Sequence, residues 1–402
     1  MVDSNGNGGV VIVGAGQAGL TTALALRENG WTGRIDLIES EPTAPYQRPP
    51  LSKGFLMGTD TTEDLITRPL WLLKRDRIRY RRDCSVIRID RRRHEVLTDR
   101  GDVLGYDHLV LATGAAPRHP RIEGADLDGV LTLRTVAQAQ NLRNELARAT
   151  NVVVLGGGFL GLELATAAAI ASRVTVLERG RDVLRRSVSG PMARVLATRH
   201  AERGVRILFG AEAIRLIGQG DRVTGVELLG GEVISADLVL ATLGAVPNTS
   251  LAAAAGLDTA DGIVVDARLQ TSDPVVFAIG DCAVQRDPQQ GRLARVESVQ
   301  NAVDQGRFVA ARITAASERP YSSTPWFWSH QAGQNLQIAG AAIPGSEAVV
   351  TETSDLRTTI LRVLDGMLVA VETLNDPRTH VRARRALATG PVPVGEFALS
   401  RV

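Results

Sequence analysis

Two copies of one pattern constrain this chain more than anything else in it. The first begins with four apolar residues, Val10 to Val13, a run too short for a helix and right for a buried strand. Gly14, Gly16 and Gly19 follow as G-x-G-x-x-G around Ala15, then a helical run to about Asn29, then a second strand, Ile35 to Ile38, ending at Glu39. Gly14 permits a tight turn, Gly16 lets backbone N–H groups approach a pyrophosphate, and Gly19 lets helix and strand pack closely. Glu39 stands twenty positions after Gly19, where a carboxylate accepts hydrogen bonds from a ribose. The second copy begins about 140 residues later: strand Val152 to Leu155, then Gly156, Gly158 and Gly161, a helix, strand Val174 to Leu177, and Glu178. Each such unit holds one pyrophosphate, so the pair predicts an α/β protein with two Rossmann-like dinucleotide-binding domains. Glu178 accepts a 2'-hydroxyl and repels a 2'-phosphate, which favours NADH over NADPH at the second site, although Arg179 and Arg181 beside it work against that preference.

Composition narrows the remaining possibilities. A chain of 402 residues is long enough for two or three domains with substantial cores. Its formal net charge of +2 argues against nucleic acid as the main partner. Cys84 and Cys282 lie too far apart for a C-x-x-C pair, and two cysteines with scattered histidines make no zinc site or iron–sulfur cluster, so no metal is expected. The N-terminus, MVDSNGNGG, shows no signal-peptide pattern, and no uncharged run reaches the ~20 residues of a membrane span, so a cytoplasmic protein with no membrane partner is expected.

Further segments invite chemistry. LVLATGAAPR, Leu109 to Arg118, containing Thr113 and Gly114, reads as a buried strand ending in a glycine turn, and LVLATLGAVPN, Leu238 to Asn248, containing Gly244, has the same form. Either could carry the chain between domains. PVVFAIGDCA places Asp281 just beyond a strand, where it could reach a polyhydroxyl chain such as ribityl or simply cap a helix. PYQRPPLSKGFL, Pro45 to Leu56, holds one of the two lysines in the chain, Lys53; the other is Lys74. Taken alone, it could equally be a rigid surface turn.

Together with GGGFLGLE, FAIGDCA, VESVQNA and PWFWS, these motifs make the chain resemble the FAD-dependent, NADH-using ferredoxin reductases of bacterial monooxygenase and dioxygenase systems, over almost its whole length. The resemblance implies FAD at the first fold and NADH at the second. It implies Arg48 by the FAD phosphates, Lys53 near the isoalloxazine, and Glu163, of GGGFLGLE, beside the nicotinamide and paired with Lys53; Leu160 belongs to the same motif. A cation near the ring would favour the negatively charged reduced flavin, and the two prolines would stiffen the loop that carries it. Glu178 and Arg186 would meet the adenosine ribose and phosphate of NADH. Val86 would bracket the FAD adenine, Arg134 would contact the cofactor, and Asp281 and Val299 would hold ribityl and ring. Trp326 would lie near the flavin edge facing the redox partner, with a core aromatic as the plainer alternative. The implied partner is a [2Fe-2S] ferredoxin that serves a haem monooxygenase or ring-hydroxylating dioxygenase. Arg307, Arg312 and Arg378 could form a basic surface that draws it, or be solvated helix faces. Two departures stand out: His330 replaces the family's aspartate before the unusual QAGQN, and Ser172 falls where a helix-ending glycine is common.

The expected layout is an FAD domain of residues 1–115 and 246–325, an NADH domain of 116–245, and an α+β C-terminal domain of 326–402. In the last, strands LQIAG, AVVTET, TTILRVL and MLVAVETL precede an arginine-rich helix near Arg378 to Ala388. Rival readings are a monodehydroascorbate reductase, a thiol-dependent relative, which would need a redox cysteine near the first fold, and an NADH-sensing flavoprotein with little turnover.

Overall fold

The computed structural model describes residues 9–286, 291–315, 319–354 and 356–399; the N-terminal stretch 1–8, read above for targeting signals, lies outside them. The chain divides into two compact units, one of residues 1–47, 65–116 and 246–323, the other of 48–64, 117–245 and 324–402. The segment 48–64, continuous in sequence with the first nucleotide fold, belongs to the second unit.

Within the first unit, five parallel strands are ordered Val276–Ala278, His108–Leu111, Val10–Val13, Ile35–Ile38, Arg79–Arg81. The central strand is fully covered on both faces, which is why it reads as an unbroken apolar run and not as an alternation. Helix Gln17–Glu28 follows it and packs on helix Val299–Ile313. The contact is close because position 306 is glycine: a Cβ there would stand 2.8 Å from the Ala18 carbonyl oxygen.

The second unit repeats the arrangement with strands Val205–Phe209, Arg173–Glu178, Asn151–Leu155, Leu238–Ala241 and Val130–Leu131, again all parallel. In each sheet the glycine-turn strand is central, its two successors lie to one side and a later strand to the other. Only the fifth strand differs in origin. In the first sheet it comes from late in the chain, in the second from just before the glycine turn.

The same unit carries a six-stranded antiparallel sheet, with Trp326–Gln331, Gln334–Gly340, Met367–Leu374, Thr358–Leu364 and Glu347–Thr353 side by side and Val392–Pro393 pairing with Met367–Leu374. Helix Pro377–Ala386 packs on this sheet through Ala383, against Leu368 and Val371. The sequence predicts the last four long strands, from LQIAG onward, and does not name WFWSHQ, which is itself the first strand of the sheet. Its partner is reached through a two-residue turn, Ala332 at φ +48° and Gly333 at φ +69°, with Gln331 opposite Gln334. The unusual QAGQN is therefore a tight hairpin. His330 sits exposed on the strand just before it.

Candidate functional site

Both glycine turns are built alike. Gly14 has φ +101° and its missing Cβ would fall 2.2 Å from the Ala112 carbonyl; the corresponding values at Gly156 are φ +104° and 2.8 Å from the Thr242 carbonyl. Gly19 and Gly161 leave no room for a side chain, since a Cβ would stand 1.9 Å from Gly14 O and 2.1 Å from Gly156 O. Gly16 and Gly158 behave differently. Each is the N-cap of its helix, neither helix start has a side-chain cap, and a Cβ at either position meets nothing within 4 Å. The first N–H groups of both helices therefore face an open cradle where a side chain usually sits, and this fits a phosphate group.

The acid at the end of each second strand completes the cradle. Glu39 Oε2 accepts the Ala15 N–H at 2.8 Å, and Glu178 Oε2 accepts the Gly157 N–H at 2.8 Å. Glu178 Oε1 also accepts the Gly180 N–H at 2.6 Å, so both its oxygens are fixed by the turn. Over this turn folds the loop that carries the exposed Arg186, pinned by the Leu184 N–H on the Gly157 carbonyl at 3.0 Å; Leu160 is half-buried in the helix first turn.

In the first unit the ATG and VPN motifs interlock. Thr113 Oγ1 donates to the Asn248 carbonyl at 2.7 Å, Asn248 Nδ2 donates to the Thr113 carbonyl at 2.8 Å, and the Asn248 N–H reaches the Gly114 carbonyl at 2.9 Å. Gly114, at φ +67°, makes that turn. Asp281 lies in a short 3-10 turn, Gly280–Cys282, tied down by the Gly280 N–H on Gln305 Oε1 at 2.7 Å. Val299 is half-buried at the start of helix Val299–Ile313, which Ser298 caps through the Asn301 N–H at 3.0 Å. Val86 is half-buried against the unit's core. Arg307 is exposed and Arg312 half-buried on that same helix.

In the second unit the RPPLSK loop and the second nucleotide fold meet at one buried carboxylate. Glu163, on helix Phe159–Ala168, is 7% exposed. Its Oε2 accepts Lys53 Nζ at 2.6 Å and Ser52 Oγ at 2.5 Å, while Oε1 accepts Ser329 Oγ at 2.7 Å. A buried carboxylate is tolerable only with such partners, and this one has three. The loop is held at its other end by Arg48 Nη1 on the Arg134 carbonyl at 2.6 Å. The sequence reading paired Lys53 with Glu163 and missed both serines; Ser52 adjoins Lys53, whereas nothing in the sequence signals Ser329. Gly244, at φ +91° and exposed, offers its carbonyl to the Arg118 N–H at 2.9 Å. Trp326 is half-buried, with the Arg384 guanidinium 3.9 Å from its ring centroid and His380 edge-on at 5.8 Å. Arg378 is exposed at the start of the neighbouring helix.

Both cysteines are free and buried, and burial raises both thiols above their ordinary pKa, leaving neither in the thiolate form that disulfide chemistry needs. Among the described residues no group of His, Cys, Asp and Glu could hold a metal, and no helix is long and apolar enough to cross a membrane.

Known proteins share this arrangement. Residues 8–306 match the family described as pyridine nucleotide-disulphide oxidoreductase, and residues 326–397 the one described as reductase C-terminal. Rhodocoxin reductase from Rhodococcus erythropolis is 42% identical over 382 residues, 94% of this chain and 89% of that protein. Among solved structures, a ferredoxin reductase from Rhodopseudomonas palustris superposes with a TM-score of 0.91 at 40% identity, covering 93% of each chain. Putidaredoxin reductase, solved as a covalent complex with putidaredoxin, gives 0.92 at 34% identity over 98% of this chain and 96% of that one. Two glycine-turn folds, a reductase C-terminal sheet and these likenesses together show that the chain belongs to the pyridine nucleotide-disulphide oxidoreductase family.

Proposed function

We propose that this protein is an NADH-dependent FAD flavoprotein that reduces a [2Fe-2S] ferredoxin serving a haem monooxygenase or ring-hydroxylating dioxygenase. The observation that carries this reading is the presence, in one chain without a reactive thiol, of two uncapped glycine-turn helices and an ion pair of half-buried Lys53 with buried Glu163 beside the second. When bound, the flavin supplies the redox chemistry, accepting a hydride and releasing electrons singly. The protein supplies binding and orientation. In the first unit the Gly14–Gly19 turn, with Ala15, would hold the FAD pyrophosphate and Glu39 its ribose, with Val86, Thr113, Gly114, Asp281 and Val299 along the remainder of the cofactor. In the second, Gly156, Gly158, Leu160 and Gly161 would hold NADH, with Glu178 and Arg186 at its adenosine end and Gly244 nearby. Arg48, Arg134 and Trp326 are assigned to the flavin on the family likeness.

Lys53 and Glu163 are the proposed catalytic pair. Glu163 fixes the ammonium, and the fixed cation stabilises negative charge developing on a reduced ring. Lys53→Ala should leave FAD bound and slow flavin reduction by NADH in single turnover; an unchanged rate removes Lys53 from the reaction. Reoxidation by a panel of iron–sulfur proteins tests the acceptor. Turnover with monodehydroascorbate radical but with no ferredoxin would favour the first rival reading, and absence of ferricyanide reduction the sensing one. The division into an FAD domain of 1–115 and 246–325, an NADH domain of 116–245 and a C-terminal domain of 326–402 is likewise our assignment, as is a cytoplasmic location, which cell fractionation tests.

A further inference from the structure

Glu163 does not end the polar chain that starts at Lys53. Ser329 Oγ, which donates to Glu163 Oε1 at 2.7 Å, itself accepts Gln331 Nε2 at 3.1 Å. Gln331 Oε1 lies 3.0 Å from His200 Nε2. Ser329, Gln331 and His200 are each at most 1% exposed, so every bond in the line is made away from water.

The line has a direction. A carboxylate only accepts, so Ser329 must donate to it and accept from Gln331. That fixes the amide with its nitrogen toward Ser329 and its oxygen toward His200, which in turn must carry its proton on Nε2. Nδ1 of His200 is buried with no partner, as a neutral ring with that tautomer allows, and burial holds the imidazole below its ordinary pKa. Donors thus follow one another from helix Gly190–Ala201, through the strand Trp326–Gln331, to the carboxylate that grips Lys53. Bonds aligned head to tail polarise one another, and a buried carboxylate oxygen that lost its donor would be left unsatisfied.

We propose that Ser329 is a positioning residue for Glu163, with Gln331 and His200 holding its hydroxyl in the donating direction. The inference rests on the assignment of Lys53 and Glu163 to hydride transfer and extends it outward by three residues. Lys53 and Ser52 both bind Oε2, so they leave the carboxylate free to turn about its own axis; Ser329 on Oε1 removes that freedom.

The test is a double-mutant cycle on the FAD-loaded enzyme, read as the anaerobic rate of flavin reduction at saturating NADH and, separately, the dissociation constant for NADH. Ser329→Ala should slow reduction about tenfold, within the range for a lost hydrogen bond to a charged group, and change NADH affinity less than twofold. Glu163→Gln should slow it at least as much. Adding Ser329→Ala to Glu163→Gln should then cost nothing further, because the serine acts through the carboxylate. Ser329→Cys, nearly isosteric but a weaker donor, should fall between wild type and Ser329→Ala, and it substitutes for the alanine variant in the cycle if that fails to fold. Additive losses, or a Ser329→Ala loss confined to NADH affinity, would overturn the proposal while the Glu163 assignment stands. If Glu163→Gln itself reduces at the wild-type rate, the parent assignment fails, and this inference with it.

Discussion

Gly158 separates binding from packing at the proposed NADH site. Its backbone is extended, φ −79° and ψ −179°, which any residue adopts, and a Cβ there meets no atom within 4 Å. In Gly158→Ala, alanine is the poorer N-cap by roughly 0.5–1 kcal/mol. The stiffer unfolded chain returns a similar ~0.4–1 kcal/mol. The melting temperature should therefore move by less than about 2 °C. The same methyl, however, enters the space over the uncapped N–H groups. A phosphate oxygen ~2.9 Å from a backbone nitrogen cannot coexist with a carbon that needs ~3.5 Å of clearance, so at least one charge-assisted hydrogen bond is lost. At about 1.5–3 kcal/mol, that weakens NADH binding roughly 10-fold to 150-fold. Anaerobic titration of the FAD-loaded protein, with thermal melts in parallel, reads both effects. Gly161→Ala is the counter-case. Its Cβ would lie 2.1 Å from Gly156 O and 2.7 Å from Thr242 Oγ1, so the helix must shift and both stability and affinity should fall. Unchanged affinity in Gly158→Ala would refute this turn as the pyrophosphate site, and an equal loss of stability in the two variants would refute the difference in packing between Gly158 and Gly161.

Coenzyme choice should depend on Glu178: wild type should favour NADH over NADPH by about tenfold or more in kcat/KM, ~1.4 kcal/mol, and Glu178→Ala should narrow that gap. Stability should fall in mild acid. His108, His200 and His380 are all held by burial below the ordinary value of 6.5, His380 at about 4, so they stay neutral when folded and take up protons when unfolded. The stability they contribute is present above pH 6.5 and is lost as pH falls toward 4, and melts across that window should show a shallower decline for His380→Leu. If Arg307 helps to steer an acidic ferredoxin, the ferredoxin-dependent rate should fall with ionic strength, Arg307→Glu should lower and flatten it, and direct reduction by NADH should change little.

Both nucleotide folds were legible because their signals are local. The apolar runs Val10 to Val13 and Val152 to Leu155, the glycines after them and the acid that ends the next strand all lie within one continuous stretch, and the structure places strands and helices there with ends shifted by one residue at most. The C-terminal strands were legible for the same reason, through their runs of β-branched residues. What was not legible is pairing over distance. Ser329 carries no signal of its own until the fold sets it against Glu163, 166 positions away, and His200 and Gln331 meet across 131. WFWSHQ was missed as a strand because only two residues separate it from its partner, in a turn where Ala332 adopts a conformation usually left to glycine. The placement of 48–64 in the second unit has no signal within the segment itself; it follows from the bond to Glu163, which only the family likeness pairs with Lys53, and from the bond to Arg134.

The unequal origin of the fifth strand in each parallel sheet bears on how the chain is made. Every strand of the second sheet lies between residues 130 and 241, so that sheet can close soon after its last strand leaves the ribosome. The first sheet waits for Val276–Ala278, and its glycine-turn helix waits for Val299–Ile313 to cover it. At ~5–20 residues per second, the strand Ile35–Ile38 is synthesised roughly 15–55 s before helix Val299–Ile313 is complete. Until then the nascent chain carries a helix, Gln17–Glu28, with its outer side uncovered and, once made, a strand edge at His108–Leu111 without its partner, open to chaperones and to mispairing with the second, similar sheet. The earlier-translated sheet is thus the later one to be finished, and the expected landmark is a first unit that resists proteolysis only in nascent chains extended well past residue 313.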